Sequence, residues 1–359
     1  MRIALRHVDW QLVLPVVILA SISLTILFTI QPSYFFSQLI YYIISAAVFL
    51  FVTNITFSHL EDFRVPIYIA SIILLLLLFV LGIESRGAVR WLDVLGFRIQ
   101  FSEILKPFLL IALSGFLAKN QRPTISLFGK TCLLLFPIAF LIFKQPDLGT
   151  ALIYTFTTFI TMLFFGFSWW LYILGLLGVG IIIPFLFRFL HGYQKTRILT
   201  FLHLTNDPLG SSYNAIQAVI AVGSGLFFGK GLGLGTQSAL KFLPERHTDF
   251  IFATLSEDLG FVGGVIVIVA CIFLLRRIYM IYRETDEVFV KLFLIGSFSL
   301  LLVQCFINIG MNIGILPIVG VTLPFVSYGG SSLVSNAILL GLISSVGSKS
   351  RKKDVLEIK

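Results

Sequence analysis

The carboxylates of this chain stand where chemistry could occur. Asp249 lies in the stretch PERHTDFIF at 244–252, after Arg246 and His247 and at the mouth of a long apolar run. A carboxylate so placed can take the proton from an attacking hydroxyl, a service worth about 10²–10⁴-fold in rate. It can equally be a cap: Thr248 and Asp249 read as the opening of a helix, where an acid gains ~0.3–1 kcal/mol from free backbone N–H groups and the helix dipole. Glu257 follows on the same helical face, roughly 12 Å deeper at about 1.5 Å per residue. A cap does not account for Glu257. An ionisable group inside an apolar segment normally faces a bundle interior or a wet cavity, so this helix is expected to line a polar cleft. Glu103, Lys106, Asn308, Asn312, Ser327, Ser331 and Ser332 are placed to join that cleft, and Arg86, Arg90, Arg98, Lys195, Arg197, Lys230 and Arg246 are placed to form a cationic rim. Cations above a carboxylate suit an anionic lipid substrate.

The elements that must position these groups are membrane spans. Apolar residues make up 58% and charged residues only 12% of the chain, with a mean hydropathy of +1.00, far from the roughly 25% charged residues of a soluble domain. The expected fold is an all-α polytopic membrane protein of about ten helices, at 10–30, 35–56, 65–83, 102–119, 129–145, 148–166, 169–187, 249–275, 287–310 and 322–346. The basic residues cluster at one end: the tail SKSRKKDVLEIK, Arg276, Arg277 and Arg283, and Lys119, Arg122 and Lys130. By the positive-inside rule that end is cytoplasmic, both termini included, and the opening MRIALRHVDWQ reads as an uncleaved first helix. The net charge of +9 then reflects this bias and anionic headgroups, not nucleic acid. Cys132, Cys271 and Cys305 lie in apolar runs without ligand spacing and read as small buried residues. Trp91, Trp169 and Trp170 read as interface anchors.

Three polar segments remain on the other side: 84–101, the KQPDLG turn at 144–149, and the connection 188–248 between helices 7 and 8. The last is long enough to carry structure of its own within a single domain spanning 1–359. In SSYNAIQAVIAVGSGLF (211–227), Tyr213, Ile216 and Ile220 recur at helical spacing, which predicts a half-buried interfacial helix. Glycines surround Lys230 in FFGKGLGLGTQS (227–238), as in a phosphate-cradling loop. Ser224 and Gly231 break the Walker pattern, and a plain tight turn fits equally well. Ser327, Tyr328, Gly329 and Gly330 predict a helix break lining the cavity.

Five ordered blocks resemble the SEDS family of membrane glycosyltransferases, which includes RodA, FtsW and SpoVE. They are RGAVRWLD (86–93), QFSEILKP (100–107), QPDLGTAL (145–152), GKGLGLGTQSALKFLPERHTDFIFA (229–253) and NIGMNIGILPIVGVTLPFVSYGGSS (308–332). PERHTDFIF and QPDLGT are most similar to the RodA branch, which implies a role in cell elongation. The resemblance implies a peptidoglycan glycosyltransferase of the bacterial cytoplasmic membrane that polymerises lipid II at the outer face. It also implies a class B penicillin-binding protein as partner, with other elongation or division proteins, and places the family's essential aspartate at Asp249.

Lipid II already carries a diphosphate leaving group, so one base suffices, unlike the carboxylate pair of glycoside hydrolysis. Asp249 would deprotonate the acceptor 4-hydroxyl, with inversion at the donor carbon. Arg90, Lys106, Lys195, Arg197 and Arg246, with or without a divalent cation such as magnesium or manganese, would hold the diphosphate. Lys230 and Ser327 complete the substrate-contact candidates. Glu103, Lys106 and Glu257 read equally as substrate contacts or as a buried ion-pair network. A lipid II flippase and a noncatalytic scaffold are the alternatives; a flippase requires a hydrophilic path to both faces.

Overall fold

The structure is a computed structural model and describes residues 8–357 apart from 86–87, 95–96, 121, 190–191, 193–194, 196–198, 200–212 and 241. It is mostly helical. Eight described helices are long and apolar enough to cross a membrane: α1 (Trp10–Ile30), α2 (Pro32–Val52), α3 (Arg64–Leu81), α6 (Ile125–Lys144), α7 (Leu148–Phe165), α11 (Ile251–Arg283), α12 (Val288–Asn312) and α13 (Gly330–Glu357), the last through its part Gly330–Gly347. Two shorter apolar stretches accompany them, α5 (Lys106–Ala118) and the start of α8 (Trp169–Phe189). Between α3 and the four-residue α4 (Phe101–Ile104) lies a small antiparallel sheet, β1 (Ile83–Ser85), β2 (Ala88–Val94) and β3 (Phe97–Ile99), in the order β1-β2-β3.

Local sequence sets the boundaries. Asp9, Thr124 and Asp147 cap α1, α6 and α7 by accepting from Gln11, Leu127 and Thr150 N–H. Pro32 opens α2, and Gly166 at φ +102 ends α7 in the left-handed region open to glycine. Trp169 and Trp170 stack on each other at 4.2 Å just beyond that turn, both more than half exposed. Three boundaries differ from expectation. The helix after Asp249 starts at Ile251, with Phe250 at the N-cap, so Asp249 lies ahead of it in a turn. That helix continues to Arg283, placing Arg276, Arg277 and Arg283 on its last turns rather than in a loop. The final helix begins at Gly330, leaving 313–329 irregular.

Two stretches of non-helical backbone are held by donors and acceptors from elsewhere in the chain. In the first, α11 breaks at Gly260 (φ 70, ψ −163), and the glycine-rich loop after α9 (Tyr213–Ser224) docks into the break. Lys230 and Gly231 N–H donate to Glu257 and Asp258 carbonyls, while Phe261 and Val262 N–H donate to Leu226 and Phe227 carbonyls. A Cβ at Gly225 or Gly229 would collide with the carbonyl oxygens of Ser256 and Asp258, and one at Gly260 would strike the 227–229 backbone. In the second stretch, Ser23 of α1 donates to the Val326 carbonyl, Tyr42 of α2 to Phe325, and Gln38 of α2 to Ser327, while Gln38 Oε1 accepts from Gly329 N–H.

The apolar core runs through α1, α11, α12 and α13, with Leu19, Ile26, Ile278, Phe293 and Ile343 fully buried. Cys271 and Cys305 are buried in it, their Sγ atoms 3.6 Å apart, and Cys132 is half-buried. At the end remote from Asp249, buried Arg277 makes a two-nitrogen contact with the Asp9 carboxylate at 2.8 and 2.6 Å, tying α11 to the start of α1. Helix α9 buries its small face, Ala218 and Ala221, against Leu243, Phe250 and Ala253. The bulky Ile216, Val219 and Ile220 of the interfacial helix are exposed on the other side. Small residues let α9 approach α11 closely.

The Gly260 junction yields a stability prediction. Gly260→Ala combines a positive φ with a backbone collision, so it should cost at least about 1–3 kcal/mol. Thermal unfolding of the purified variant in detergent should show a midpoint several degrees lower, whereas Gly129→Ala, inside α6 with nothing within 4 Å, should leave it unchanged or slightly higher.

Candidate active site

The turn 244–250 presents Asp249 half-buried, with the turn's backbone clamped by α12 and by the irregular segment before α13. Asn308 and Asn312, one turn apart on α12, both donate Nδ2–H to the Asp249 carbonyl, at 3.1 and 3.0 Å. Asn312 Oδ1 accepts from Ala253 N–H in the first turn of α11. Ser327 donates to the Thr248 carbonyl at 2.7 Å and accepts from Leu323 N–H, while Tyr328 N–H donates to the His247 carbonyl. The His247 ring stacks on Tyr34 at 4.4 Å and 15°, with Tyr328 beside both. Gly320 packs against the carboxylate; a methyl there would lie 3.5 Å from Asp249 Oδ2, at a φ of +72. The backbone is fixed while one side of the carboxyl borders on glycine.

A second polar cluster adjoins this turn through 327–332. Ser331 at the start of α13 accepts from Gln100 N–H at 3.0 Å. Gln100 Nε2 in turn donates to Asp147 Oδ2 at 2.7 Å, and Ser102 lies 3.5 Å from the same oxygen. Burial raises the Asp147 carboxyl above its usual range against the pull of Arg90 nearby. Glu103 and Lys106 form an ion pair at 2.6 Å, both buried, and Tyr154 of α7 donates to the Ser102 carbonyl. Glu103 Oε2 and Arg90 Nε are buried with no hydrogen-bond partner. Buried Asp147, Glu103 and Lys106 thus form one charged cluster with the half-buried Arg90 nearby, with donor and acceptor capacity left over.

The remaining sequence-predicted residues are engaged within the chain or lie away from this cluster. Glu257 is fully buried and both oxygens are occupied: they accept from Gln237 N–H, Ser238 N–H and Oγ–H, Lys230 Nζ and Thr236 Oγ1. It organises the 230–238 loop and the short α10 (Thr236–Ala239), in line with the ion-pair reading. Lys230 is held in that contact, and its own N–H and those of Gly231 and Gly233 go to Glu257, Asp258 and the Asp258 carboxylate. The glycine loop therefore clasps its own chain rather than presenting these N–H groups to a phosphate. Arg246 donates to the Ser238 carbonyl. Lys195 donates to the Arg188 carbonyl, and Arg197 lies outside the described residues. Among the described residues no group of three or more His, Cys, Asp or Glu converges as metal ligands. Asp147, His247 and Tyr34 were not singled out from sequence. Asp147 lay within a quoted block, and its buried place depends on Gln100 arriving from 47 residues away.

A family model described as "Cell cycle protein", for FtsW, RodA and SpoVE, matches residues 2–352. The chain belongs to this family. Among its FtsW/RodA/SpoVE relatives is the peptidoglycan glycosyltransferase MrdB of Escherichia coli K12, 42% identical over 288 residues, which span 80% of this chain and 78% of MrdB. A probable peptidoglycan glycosyltransferase FtsW of Wigglesworthia glossinidia brevipalpis is 34% identical over 338 residues, 90% of this chain and 87% of that one. Two solved structures share the family fold. One comes from work on polymerization and crosslinking by a peptidoglycan synthase complex, with TM-score 0.82, 29% identity and coverage of 95% and 98% of the two chains. The other is the rod shape determining protein RodA of Thermus thermophilus, with TM-score 0.72, 26% identity and coverage of 94% and 96%.

Removing the asparagine clamp should misplace Asp249 without removing it. Asn312→Ala is expected to lower turnover by about 10²-fold, the scale for a roughly 1 Å displacement of a reacting group. The check is initial polymerisation rate in protein that elutes normally by size exclusion.

Proposed function

We propose that this chain polymerises lipid II into glycan strands, with Asp249 as the general base. The observation that carries the reading is the clamped turn: α12 holds the Asp249 carbonyl through two asparagines and Ser327 holds the Thr248 carbonyl, while Asp249 stays half-exposed beside Gly320. The carboxylate accepts the proton of the acceptor 4-hydroxyl as that oxygen attacks the donor anomeric carbon. The C–O bond to the diphosphate breaks and configuration inverts. Arg90 and Lys106 lie in the adjoining cluster and stabilise the departing diphosphate. A divalent cation such as magnesium or manganese would add charge neutralisation for the diphosphate, with Asp147 and Glu103 as the carboxylates beside Arg90 and Lys106 that could hold it.

Orientation follows from the reaction and from charge. The Asp249 end faces outward across the cytoplasmic membrane, and the end bearing Lys119, Arg122 and Lys130 faces the cytoplasm, as do both termini. A class B penicillin-binding protein crosslinks the product, in keeping with the synthase complex of the structural relative. Similarity to MrdB and RodA supports a role in elongation. A flippase would need a continuous polar path to the cytoplasmic end, where the buried Arg277–Asp9 pair is closed in among Leu12, Phe57, Leu274, Ile278 and Phe289.

Asp249→Asn keeps shape and removes the base. With its cognate penicillin-binding protein present, the variant should lose about 10²–10⁴-fold in lipid II polymerisation while still co-purifying with that partner. Polymerisation at the normal rate would refute the mechanism.

A further inference from the structure

Inside the bundle, between α3, α5, α6 and α7, lies a cavity of about 250 Å³ with a largely apolar wall that includes Tyr68, Leu109, Leu135 and Ile138. Among its described lining residues Arg64 is the one charged group. Arg64 opens α3, at the end of the bundle remote from Asp249, and its side chain lies across Gly115 of α5. One of its N–H groups donates to the Glu61 carbonyl, and neither Glu61 nor Asp62 pairs with the guanidinium. Phe63, at the N-cap of α3, makes no side-chain cap, so free first-turn N–H groups add to the positive end.

A second observation points to an occupant. Thr157 of α7 is 2% exposed, lines the cavity, and its Oγ1 has no hydrogen-bond partner. A buried hydroxyl without a partner at membrane depth is costly, and it calls for an acceptor carried in by whatever fills the space. Val65, on the same wall, is 55% exposed at the bundle surface, which gives a hydrocarbon chain a way in from the bilayer.

We propose that this cavity holds an acyl chain of an anionic phospholipid from the leaflet opposite the Asp249 end, with its phosphate on Arg64 and its ester oxygen accepting from Thr157. The bound chain packs beneath the charged cluster. Tyr154 lines the cavity and donates to the Ser102 carbonyl, and Leu109 follows Lys106 by less than one turn of α5. Occupancy therefore buttresses the helix starts that carry Glu103 and Lys106, independently of which reaction the site performs.

The test is native mass spectrometry of the full chain, exchanged into equal phosphatidylglycerol and phosphatidylethanolamine, with undecaprenyl phosphate as a competitor in a separate arm. One phosphatidylglycerol should be retained, and Arg64→Gln should weaken its retention about fivefold, the factor for roughly 1 kcal/mol per basic residue near an anionic surface. Ala112→Phe, or Leu113→Phe if the first does not fold, fills the space without changing charge and should abolish retention of either phospholipid. Equal retention of the two phospholipids, undiminished retention in the Arg64 and cavity-filling variants, or displacement by undecaprenyl phosphate would each overturn the proposal.

Discussion

Backbone that leaves helical geometry at membrane depth must find hydrogen-bond partners within the protein, because lipid offers none. That constraint organises this molecule. The irregular segment 313–329 is built into the bundle by Ser23, Gln38 and Tyr42, three polar side chains on otherwise apolar helices. The break at Gly260 is filled by the loop at 225–231, whose glycines are needed for contact rather than for flexibility. Each break frees a short stretch of chain from the helical repeat, and the clamped turn carrying Asp249 lies among these stretches.

The two breaks have related consequences for the site. One brings Ser327 and Tyr328 onto the 247–248 carbonyls; the other lets Glu257 gather the 230–238 loop beneath the same turn. Arg246 then joins that loop to the turn through the Ser238 carbonyl. Side-chain amides from α12 complete the arrangement by holding one carbonyl with two donors. Such a site is preorganised by hydrogen bonds within the chain, which would let the proposed lone carboxylate act with defined direction.

Spans were legible in the sequence because about 20 apolar residues in a row have few alternatives, and α1 and α7 fall where hydropathy places them. Asp249, Glu103, Lys106 and Glu257 were legible for the opposite reason: charge in an apolar context stands out. What was not legible is what long-range contact decides. Helical spacing of Ile216 and Ile220 marked α9 as a half-buried interfacial helix but did not show which face packs on the protein, and that face is Ala218 and Ala221. Glycines around Lys230 suggested an anion cradle as readily as a turn, and only the docked carbonyls of Glu257 and Asp258 decide between them. His247 gave no signal of its stacking on Tyr34, which comes from more than 200 residues away. The five ordered motif blocks supplied the family, and the structure supplied the reason several of those residues stand together.

The central claim is that the Asp249 carboxylate, and no other group, meets the acceptor hydroxyl. A structure of the Asp249→Asn variant with two lipid-linked disaccharide analogues bound tests it most directly. The account predicts the acceptor 4-hydroxyl within about 2.6–3.2 Å of the residue 249 side chain, in line with the donor anomeric carbon, and the diphosphate toward Arg90 and Lys106. An acceptor hydroxyl held by a different side chain, with residue 249 out of reach or facing the diphosphate, would contradict it.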